Sequence, residues 1–209
     1  MADQKTKRVQ SPDSGKRQYR MKARAEAEAE TRLRITESAV DLHGTLGPAQ
    51  TSVSAVAERA GVRRSTVYRH FPDERALFGA CSAHWAAANP PPDVAAWGAI
   101  ADPGERLDTA LAELYGYYRR TAAMYDKLLR DEAAVPVVGE LMGGYRAMLA
   151  EATDVLLQGR GLRGRARDRT RAAIGHALTF RTWQDLTGAQ GLGDASAAEL
   201  ASRLVVAAG

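Results

Sequence analysis

The sequence is poor in the features that would mark several classes of protein. Cys81 is the only cysteine, which excludes an intramolecular disulfide framework and a metal site built from a cysteine cluster. No stretch approaches the roughly 18 apolar residues that a membrane span needs. No apolar segment follows the basic N-terminus, as it would in a secretory signal. These absences predict a cytoplasmic protein of a reducing compartment, with no membrane partner.

Patterns that would indicate an enzyme are missing as well. The sequence contains no Gly-rich phosphate loop after a strand, no His-Glu-x-x-His and no Gly-x-Ser-x-Gly. Cys81 falls within a predicted helix without an evident base beside it, so it is interpreted as a small core residue. His84, His176 and Asp185 are interpreted as polar residues with ordinary partners rather than as metal ligands. We therefore expect no catalytic residue, no metal and no cofactor.

Lysine is almost confined to one end of the chain. Four of the five lysines lie in residues 1–24, which hold eight basic residues against two acidic ones and so carry a net charge of +6. This basic arm is expected to be disordered. Such tails contact nucleic acid or anionic surfaces, or serve only as solvated extensions. If the arm were the sole binding element, the protein would bind any duplex or an anionic membrane surface.

The rest of the composition suits a folded helical chain. Hydrophobic residues make up 45% and charged residues 26% of 209, ordinary values for one medium domain or for a small domain fused to a larger one. Strong helix formers dominate and alternating β-branched residues are almost absent, which predicts an all-α fold. Helices are expected at about 25–43, 53–60, 63–71, 73–88, 107–118, 122–134, 136–157, 165–186 and 197–208. Ser196 and Glu199 are expected to form a capping box for the last one. Asn89-Pro-Pro-Pro92 divides the body into residues 25–89 and 90–209.

The most informative stretch is 51–71, where two short predicted helices are separated by Ala60-Gly61-Val62. Glycine at such a turn adopts a positive φ without steric strain. The residues left facing outward on the second helix are Arg63, Arg64, Ser65, Thr66, Tyr68, Arg69 and His70. Arginine can fork onto guanine O6 and N7, and hydroxyls bond phosphates. The pattern predicts a helix-turn-helix whose second helix enters the major groove of duplex DNA, although a plain helical hairpin with solvated arginines shares the bare pattern.

The residues themselves are more specific than that pattern. The run Ala57-Glu-Arg-Ala-Gly-Val-x-x-Ser-Thr-Val-Tyr-Arg-His-Phe-Pro72, followed by Ala76-Leu77, closely resembles the DNA-binding domain of TetR-family transcriptional regulators. The similarity covers about residues 29–89. It implies a three-helix helix-turn-helix DNA-binding domain at 25–89 and a helical effector-binding and dimerisation domain at 90–209. It also implies a sequence-specific regulator, by family default a homodimeric repressor that binds a pseudo-palindromic operator and is released by a small-molecule effector.

The resemblance assigns DNA contacts within the motif 52–71 and just after it. Arg64 matches a position that reaches base edges, and Ser52 matches the hydroxyl that caps the first helix of the motif. The other residues expected at the DNA are Arg63, Ser65, Thr66, Tyr68, Arg69, His70 and Arg75. Glu74 and Ser54 stand where the family usually has a basic residue, so two phosphate contacts are expected to be missing. The basic arm would be suited to replace them.

The last two predicted helices are the expected dimer surface. A dimer is expected because a DNA site with two-fold symmetry is bound by a protein with the same symmetry. The predicted interface residues are Ile174, Ala177, Leu178, Leu200, Leu204 and Val205. Burial within a single chain is the alternative for these residues. Six arginines between residues 160 and 171 are interpreted as a solvated loop and helical turn rather than as a second DNA site.

The middle helices match the family's ligand-binding region in position only. The candidate pocket residues are Tyr115, Tyr118, Met124, Tyr125, Met142, Tyr145, Met148, Phe180 and Trp183. Methionines and aromatics at helical spacing are usually core, and about half of these are expected to be ordinary packing. An apolar or aromatic effector, held mostly by contact area, would suit such a lining.

Overall fold

The computed structural model describes residues 12–209, and every regular element in that range is helical. The helices are α1 (Pro12–Thr45), α2 (Val53–Arg59), α3 (Arg64–His70), α4 (Glu74–Ala88), α5 (Val94–Gly98), α6 (Pro103–Asp131), α7 (Pro136–Leu157), α8 (Gly164–Ala177), α9 (Phe180–Gln184) and α10 (Asp194–Ala207). A short 3₁₀ turn follows α1, and a π turn follows α9. The all-α prediction is confirmed. None of the helices described combines the length and apolar character that a membrane crossing requires.

We refer to helices α1 to α4 as the N-terminal domain and to the helices after them as the second domain, following the division that the sequence predicts. α1 packs along α4 and against α2, and α2 packs against α3. The core of this domain is made by apolar residues at helical spacing, Ile35, Ala39, Val56, Val67 and Phe71, all almost fully buried. Because each helix is short apart from α1, their stability comes from this shared core rather than from helix propensity alone.

Helix α1 begins much earlier than predicted. Residues 12–24, which were expected to belong to a disordered arm, are helical, while residues 1–11 of the arm lie outside the described residues. Helix formers such as Ala, Glu, Lys and Arg fill residues 16–30, and no proline follows Pro12 within the helix. The side chains of residues 17–30 are all exposed, so this stretch is a single helix that projects from the domain. At 1.5 Å per residue it reaches roughly 20 Å.

Helix α6 is the centre of the second domain, where it packs against α1, α5, α7, α9 and α10. The sequence suggested two helices, 107–118 and 122–134, but they are one continuous helix in the structure. No breaker separates them, and the hydroxyl of Thr121 bonds the Tyr117 carbonyl at 2.7 Å within the helix. Asp102 caps the start by accepting hydrogen bonds from the backbone of Gly104 and Glu105. The short α5, capped by Asp93, was not predicted.

The predicted helix 165–186 is broken in the structure. It ends at Ala177, and the Thr179 side chain caps α9 by accepting a hydrogen bond from the backbone N–H of Thr182 at 3.2 Å. The carbonyls that the break leaves free are bonded by tyrosine hydroxyls of α6, Tyr115 to Ala177 at 2.9 Å and Tyr118 to Leu178 at 2.7 Å. These tertiary hydrogen bonds stabilise the break between α8 and α9, which no local sequence signal predicts.

The expected capping box of the last helix is also wrong. Helix α10 begins at Asp194, and its N-cap is Gly193, which has no side chain to accept a hydrogen bond. Ser196 and Glu199 therefore lie inside the helix rather than at its start. Asp194 and Ala195 are already helical. The acidic Asp194 lies in the first turn, where the helix dipole favours a negative charge.

Candidate nucleic-acid interface

The turn between α2 and α3 has the geometry that its sequence predicts. Gly61 has a φ of 65°, and the N–H of Val62 donates to the Ala57 carbonyl at 2.9 Å while that of Gly61 donates to Glu58 at 3.1 Å. This pair of hydrogen bonds is a Schellman motif, in which glycine avoids the strain of the left-handed conformation. At the other end of α2, Ser52 Oγ accepts from the Ala55 N–H at 3.1 Å. The two helices are thereby held at a fixed angle.

Helix α3 buries one side and exposes the other. Val67 and the following Phe71 are buried against α1 and α2. The side chains of Arg63, Arg64, Ser65, Tyr68 and Arg69 are exposed, whereas Thr66 and His70 are half-buried. Five of the seven residues predicted to face outward thus form one continuous exposed surface of arginines and hydroxyls, which we call the α3 surface.

Arg64 and Tyr68 are paired on the α3 surface. Arg64 Nη2 donates to the Tyr68 hydroxyl at 3.2 Å, and its guanidinium carbon lies 5.5 Å from the centre of the Tyr68 ring. The hydrogen bond to Tyr68 raises the pKa of Arg64 above its ordinary value. One turn apart on the helix, the two side chains restrict each other's rotamers and present a planar cationic group to the solvent.

The C-terminal end of α3 is held by a residue that sequence reasoning missed. Arg32 of α1 donates from Nη1 to the His70 carbonyl at 2.7 Å, and its guanidinium lies 4.1 Å from the centre of the Phe71 ring. A cation at a helix C-terminus satisfies a free carbonyl and interacts favourably with the helix dipole. The spacing of 38 residues between the partners explains why no local pattern pointed to it.

His70 differs from the outward-facing residue that was expected. Its Nε2 atom is buried without a hydrogen-bond partner among the described residues. Burial, together with the neighbouring Arg69, lowers the pKa of His70 below its ordinary value, which favours the neutral ring. His70 is therefore less suited to a phosphate than the arginines beside it.

Arg75 is engaged within the protein. Its Nη1 and Nη2 atoms donate to the two carboxylate oxygens of Glu140 on α7, both at 2.6 Å. The pair raises the pKa of Arg75 and lowers the pKa of Glu140. Both side chains are exposed, and exposed ion pairs contribute little to stability, so Arg75 can exchange partners. Glu74, which replaces a basic residue of the family pattern, is exposed at the start of α4.

The projecting part of α1 starts beside α3. Arg32, whose guanidinium contacts the end of α3, lies two residues after the exposed stretch 17–30. This stretch holds four exposed basic side chains, Arg17, Arg20, Lys22 and Arg24, before a run of alternating glutamates. Residues 12–24 of the basic arm thus extend from the edge of the helix-turn-helix.

A cavity of about 280 Å³ lies between the two domains, bounded by α1, α4, α6 and α7. Of the nine predicted pocket residues, five line it: Met124, Tyr125, Met142, Tyr145 and Met148. The other four, Tyr115, Tyr118, Phe180 and Trp183, are buried among aromatic rings of the core. The N-terminal domain supplies lining residues that were not predicted, namely Val40, His43, Phe78, Cys81, Ser82, Trp85, Ala86 and Asn89. Sequence reasoning missed them because it assigned residues 25–89 to DNA binding alone.

Cys81 is a buried core residue, as interpreted from the sequence, but it has a base beside it that the sequence did not indicate. Its sulfur lies 3.5 Å from His43 Nδ1, and the thiol donates to the Phe78 carbonyl at 3.1 Å. Burial raises the pKa of Cys81 to about 11 and lowers the pKa of His43 to about 4. Both groups are therefore neutral at physiological pH, and the thiol has no thiolate character. Among residues 12–209, no cluster of three or more His, Cys, Asp or Glu has the arrangement of a metal site.

The predicted dimer residues divide into two groups. Ile174, Ala177, Leu178 and Val205 are buried within the chain itself, so in the structure they are core residues. Leu200 and Leu204 are 38% and 60% exposed on α10. Leu204 lines a mainly apolar groove between α8 and α10, together with Ala173, Ala177, Leu186 and Ala201. The charged or titratable residues of this groove are His176, Arg181 and Asp185.

Three of the six arginines between residues 160 and 171 have partners within the protein. Arg160 donates to the carbonyls of Leu156 and Pro103, both at 2.8 Å. Arg169 donates to the Ala208 carbonyl at 3.0 Å, and Arg171 pairs with Asp154. Helix α8, which carries most of them, packs on α7, α9 and α10 rather than on the helix-turn-helix.

Comparison with known proteins matches this geometry to one family. Residues 35–81 match the family model described as bacterial regulatory proteins, tetR family. No functionally curated protein matches the chain.

Three solved structures share the fold across both domains. A TetR-family regulator from Mesorhizobium loti is 20% identical, with 87% of this chain and 96% of that chain covered and a TM-score of 0.58. A TetR-like regulator from Rhodococcus sp. is 22% identical, with coverage of 84% and 93% and a TM-score of 0.61. A Clostridium perfringens protein named for regulation of fatty acid metabolism is 14% identical, with coverage of 84% and 97% and a TM-score of 0.61. The helix-turn-helix of this chain is therefore similar to that of the tetR family of bacterial regulatory proteins, and its overall fold is that of the solved TetR-like regulators.

Proposed function

We propose that this DNA-binding regulator is a homodimeric repressor that binds a pseudo-palindromic operator in the cytoplasm and releases it when a small molecule occupies the cavity. The observation that carries the proposal is that the cavity wall is built from both domains. Helices α1 and α4, which hold the helix-turn-helix in place, supply His43, Phe78 and Trp85, while α6 and α7 supply the opposite side. A ligand in the cavity would thus touch the DNA-binding domain directly.

The same arrangement suggests how a ligand would act on the DNA affinity. Two α3 helices of a dimer must lie about 34–36 Å apart to enter successive major grooves. A ligand that wedges between α4 and α7 favours conformers with a different orientation of α4, and α3 moves with it. If the ligand binds such a conformer more tightly than the conformer that fits the operator, its binding lowers the affinity of the protein for the operator. By linkage, the operator lowers the affinity of the protein for the ligand by the same factor. The Arg75–Glu140 ion pair joins α4 to α7, so a movement of α4 away from α7 would break it.

The α3 surface is the proposed reader of the operator. Arg64, held by Tyr68, is assigned to a base edge, since a guanidinium forks onto guanine O6 and N7. The neighbouring exposed side chains of Arg63, Ser65, Tyr68 and Arg69 are assigned mainly to phosphates, together with Ser52 and Thr66. Arg75 joins them once it leaves Glu140. The basic stretch 17–24 of α1 would add phosphate contacts that Glu74 and Ser54 do not make.

The dimer surface is proposed at the groove between α8 and α10. Leu204, which is 60% exposed, and Leu200 are large apolar side chains that an isolated chain leaves in contact with water. Pairing two copies about a two-fold axis would seat Leu204 of each copy against the apolar groove of the other. Such a dimer presents both α3 surfaces to one duplex.

Selection of bound duplexes from random DNA tests the proposal. The expected product is a palindrome whose half-sites are spaced by about one helical turn or a multiple of it. Comparable affinity for any duplex would contradict the specific-regulator function. A transcription assay on a promoter that overlaps the selected site then measures the sign, and repression is expected. Effector release is measured as a loss of operator affinity on adding small molecules, and it fails if molecules that fill the cavity leave the affinity unchanged.

A further inference from the structure

The cavity between the domains combines an uncharged lining with one interior nitrogen that makes no hydrogen bond to the described residues, Nε2 of His43. None of the described residues that line it is Asp, Glu, Lys or Arg. Ala86, Pro91, Leu141 and Gly144 are exposed and form its mouth, whereas His43, Cys81, Met124 and Met142 are buried and form its interior. A carboxylate or ammonium group inside would lose its hydration without gaining an opposite charge.

We propose that the effector is an uncharged aromatic molecule of about two rings that donates one hydrogen bond, from a hydroxyl or N–H group, to Nε2 of His43. The proposal rests on the cavity being the effector site. It adds the chemical class of the ligand and the residue that recognises it.

The size and walls of the cavity support an aromatic ligand. Its volume of about 280 Å³ is about twice that of a ~150 Å³ cavity that binds benzene. Trp85 and Tyr125 meet edge to face with centroids 6.1 Å apart, and Tyr125 meets Tyr145 in the same way at 5.2 Å. Rings in these orientations leave both faces and edges for offset or T-shaped contacts with a further ring.

The hydrogen bonds around Cys81 determine which nitrogen of His43 carries the proton. We assign the single thiol proton of Cys81 to the Phe78 carbonyl, which lies 3.1 Å from the sulfur and is nearer than His43 Nδ1. At 3.5 Å from His43 Nδ1, the sulfur can then act only as an acceptor, so the proton of the neutral ring lies on Nδ1. This tautomer leaves a lone pair on Nε2. Burial keeps the ring neutral, since the pKa of His43 is lowered to about 4.

His43 Nε2 is the interior polar atom that the protein itself leaves unused. No hydrogen bond joins it to another group of residues 12–209, although the side chain is only 8% exposed and lines the cavity. The tyrosine hydroxyls of the lining are already engaged, Tyr145 with Tyr118 and with the N–H of Phe180, and Tyr117 with Tyr125. Ser82 and Asn89 are half-buried, where water can reach them. A ligand that fills the cavity and excludes water from it would satisfy this acceptor by donating to Nε2.

Three naphthalene derivatives of similar size test the proposal on the full-length protein. They are 1-naphthol, which donates a hydrogen bond, 1-methoxynaphthalene, which does not, and 1-naphthoate, which is charged. Calorimetric titration is expected to give a Kd for 1-naphthol roughly tenfold lower than for 1-methoxynaphthalene, the effect of one hydrogen bond. No binding is expected for 1-naphthoate. Equal affinities for the first two, tightest binding of the third, or binding of none would each overturn the proposal.

Two variants locate the hydrogen bond. His43→Phe keeps an aromatic ring and is expected to abolish the preference for 1-naphthol while still binding 1-methoxynaphthalene. His43→Gln keeps an acceptor oxygen and is expected to retain part of the preference. An unchanged preference in His43→Phe would overturn the role of His43. Because a variant can fail to fold, ¹⁵N spectra of the wild-type protein, which has four histidines, give a second measurement. Nε2 of His43 should appear unprotonated and shift on adding 1-naphthol but not 1-methoxynaphthalene.

Operator affinity measured in the same titrations separates this inference from the proposed function. If 1-naphthol binds with the expected preference and the operator is released, both stand. If it binds with that preference and the operator stays bound, the chemistry of the cavity stands while effector release fails. If the preference is absent but another ligand of the cavity releases the operator, the proposed function stands and this inference fails.

Discussion

Arg64 is the side chain of the α3 surface whose environment best suits a base contact. Its neighbour Tyr68 holds it by a hydrogen bond of 3.2 Å, so less side-chain entropy is lost when the guanidinium forks onto a guanine. Replacing Arg64 with alanine should cost about 1–3 kcal/mol at one base pair and relax the preference there. Selection of duplexes by the variant checks this, with Arg120→Ala, an exposed arginine on α6, as the matched control. Uniform weakening across all sequences would instead identify a phosphate contact.

His43 should make the stability of the protein depend on pH. Histidine in an unfolded chain titrates near 6.5, whereas burial lowers the pKa of His43 in the folded protein to about 4. Between these values the unfolded chain binds a proton that the folded chain does not, so the free energy of unfolding falls as pH falls from 6.5 to 4. A difference of this size corresponds to roughly 3 kcal/mol.

Urea unfolding at several pH values between 7 and 4 measures this dependence. His43→Gln removes the titrating group and should flatten the pH dependence in that window, while His84→Gln, a half-buried histidine of α4, serves as the matched control. His70, whose pKa is also lowered, contributes in the same direction and remains in both variants. The prediction fails if His43→Gln and wild type lose stability in parallel over this range.

At the scale of single elements, the projecting part of α1 is the feature whose function is most easily separated from the rest. The basic side chains of this stretch are exposed, so changing their charge leaves the buried core intact. Replacing Arg17, Arg20, Lys22 and Arg24 with glutamine should weaken operator binding and lower the slope of log K against log salt. The slope should fall by about 0.9 for every phosphate that the variant no longer neutralises.

The matched control carries the same type of change on α8, which does not pack on the helix-turn-helix. Arg165→Gln and Arg167→Gln remove two exposed cations there and should leave the slope as it is. Fluorescence anisotropy of a labelled operator between about 50 and 200 mM salt covers a suitable range. An unchanged slope in the α1 variant would mean that this helix does not reach the duplex.

Local signals predicted the elements that local interactions define. Gly61 and Ser52 marked the ends of α2 correctly, because a left-handed turn and an N-cap depend on a few neighbouring residues. The break at Thr179 was not predictable, since tyrosine hydroxyls about 60 residues away stabilise it. The continuity of α6 was missed because the apolar residues were grouped into two short stretches although no breaker divides them.

The candidate sites divide in the same way. The outward residues of α3 followed from helical spacing around Val67, so most of the α3 surface was predicted. The contacts of Arg32 with α3, of Arg75 with Glu140 and of His43 with Cys81 each join residues that are 38 or more positions apart. Such pairs depend on how helices pack, which a single sequence does not reveal. The cavity was therefore predicted only on its α6 and α7 side.

At the scale of the whole molecule, the cavity and the aromatic core lie between the α3 surface and the groove proposed as the dimer surface. Tyr145 lines the cavity, and its hydroxyl accepts from the N–H of Phe180 at 3.0 Å, at the break between α8 and α9. The groove proposed as the dimer surface begins at that break, with Thr179 and Arg181. Tyr145 thus links the proposed effector site to the proposed dimer surface. On the other side of the cavity, α4 links the effector site to α3. Cavity and dimer geometry are therefore expected to be coupled.

The dimer itself is tested by placing a charge in the apolar groove. Leu204 is 60% exposed on α10, so Leu204→Glu should not disturb the fold of one chain, but in the paired state it would bury a carboxylate against a mainly apolar groove. The variant is expected to sediment as a monomer and to bind the full palindrome at least tenfold more weakly, because one α3 surface then binds alone. Its affinity for an isolated half-site should be unchanged. Leu46→Glu, a similar change at an exposed leucine beside the end of α1, should remain a dimer. A dimeric Leu204→Glu protein with wild-type operator affinity would place the two-fold axis on another face of the molecule.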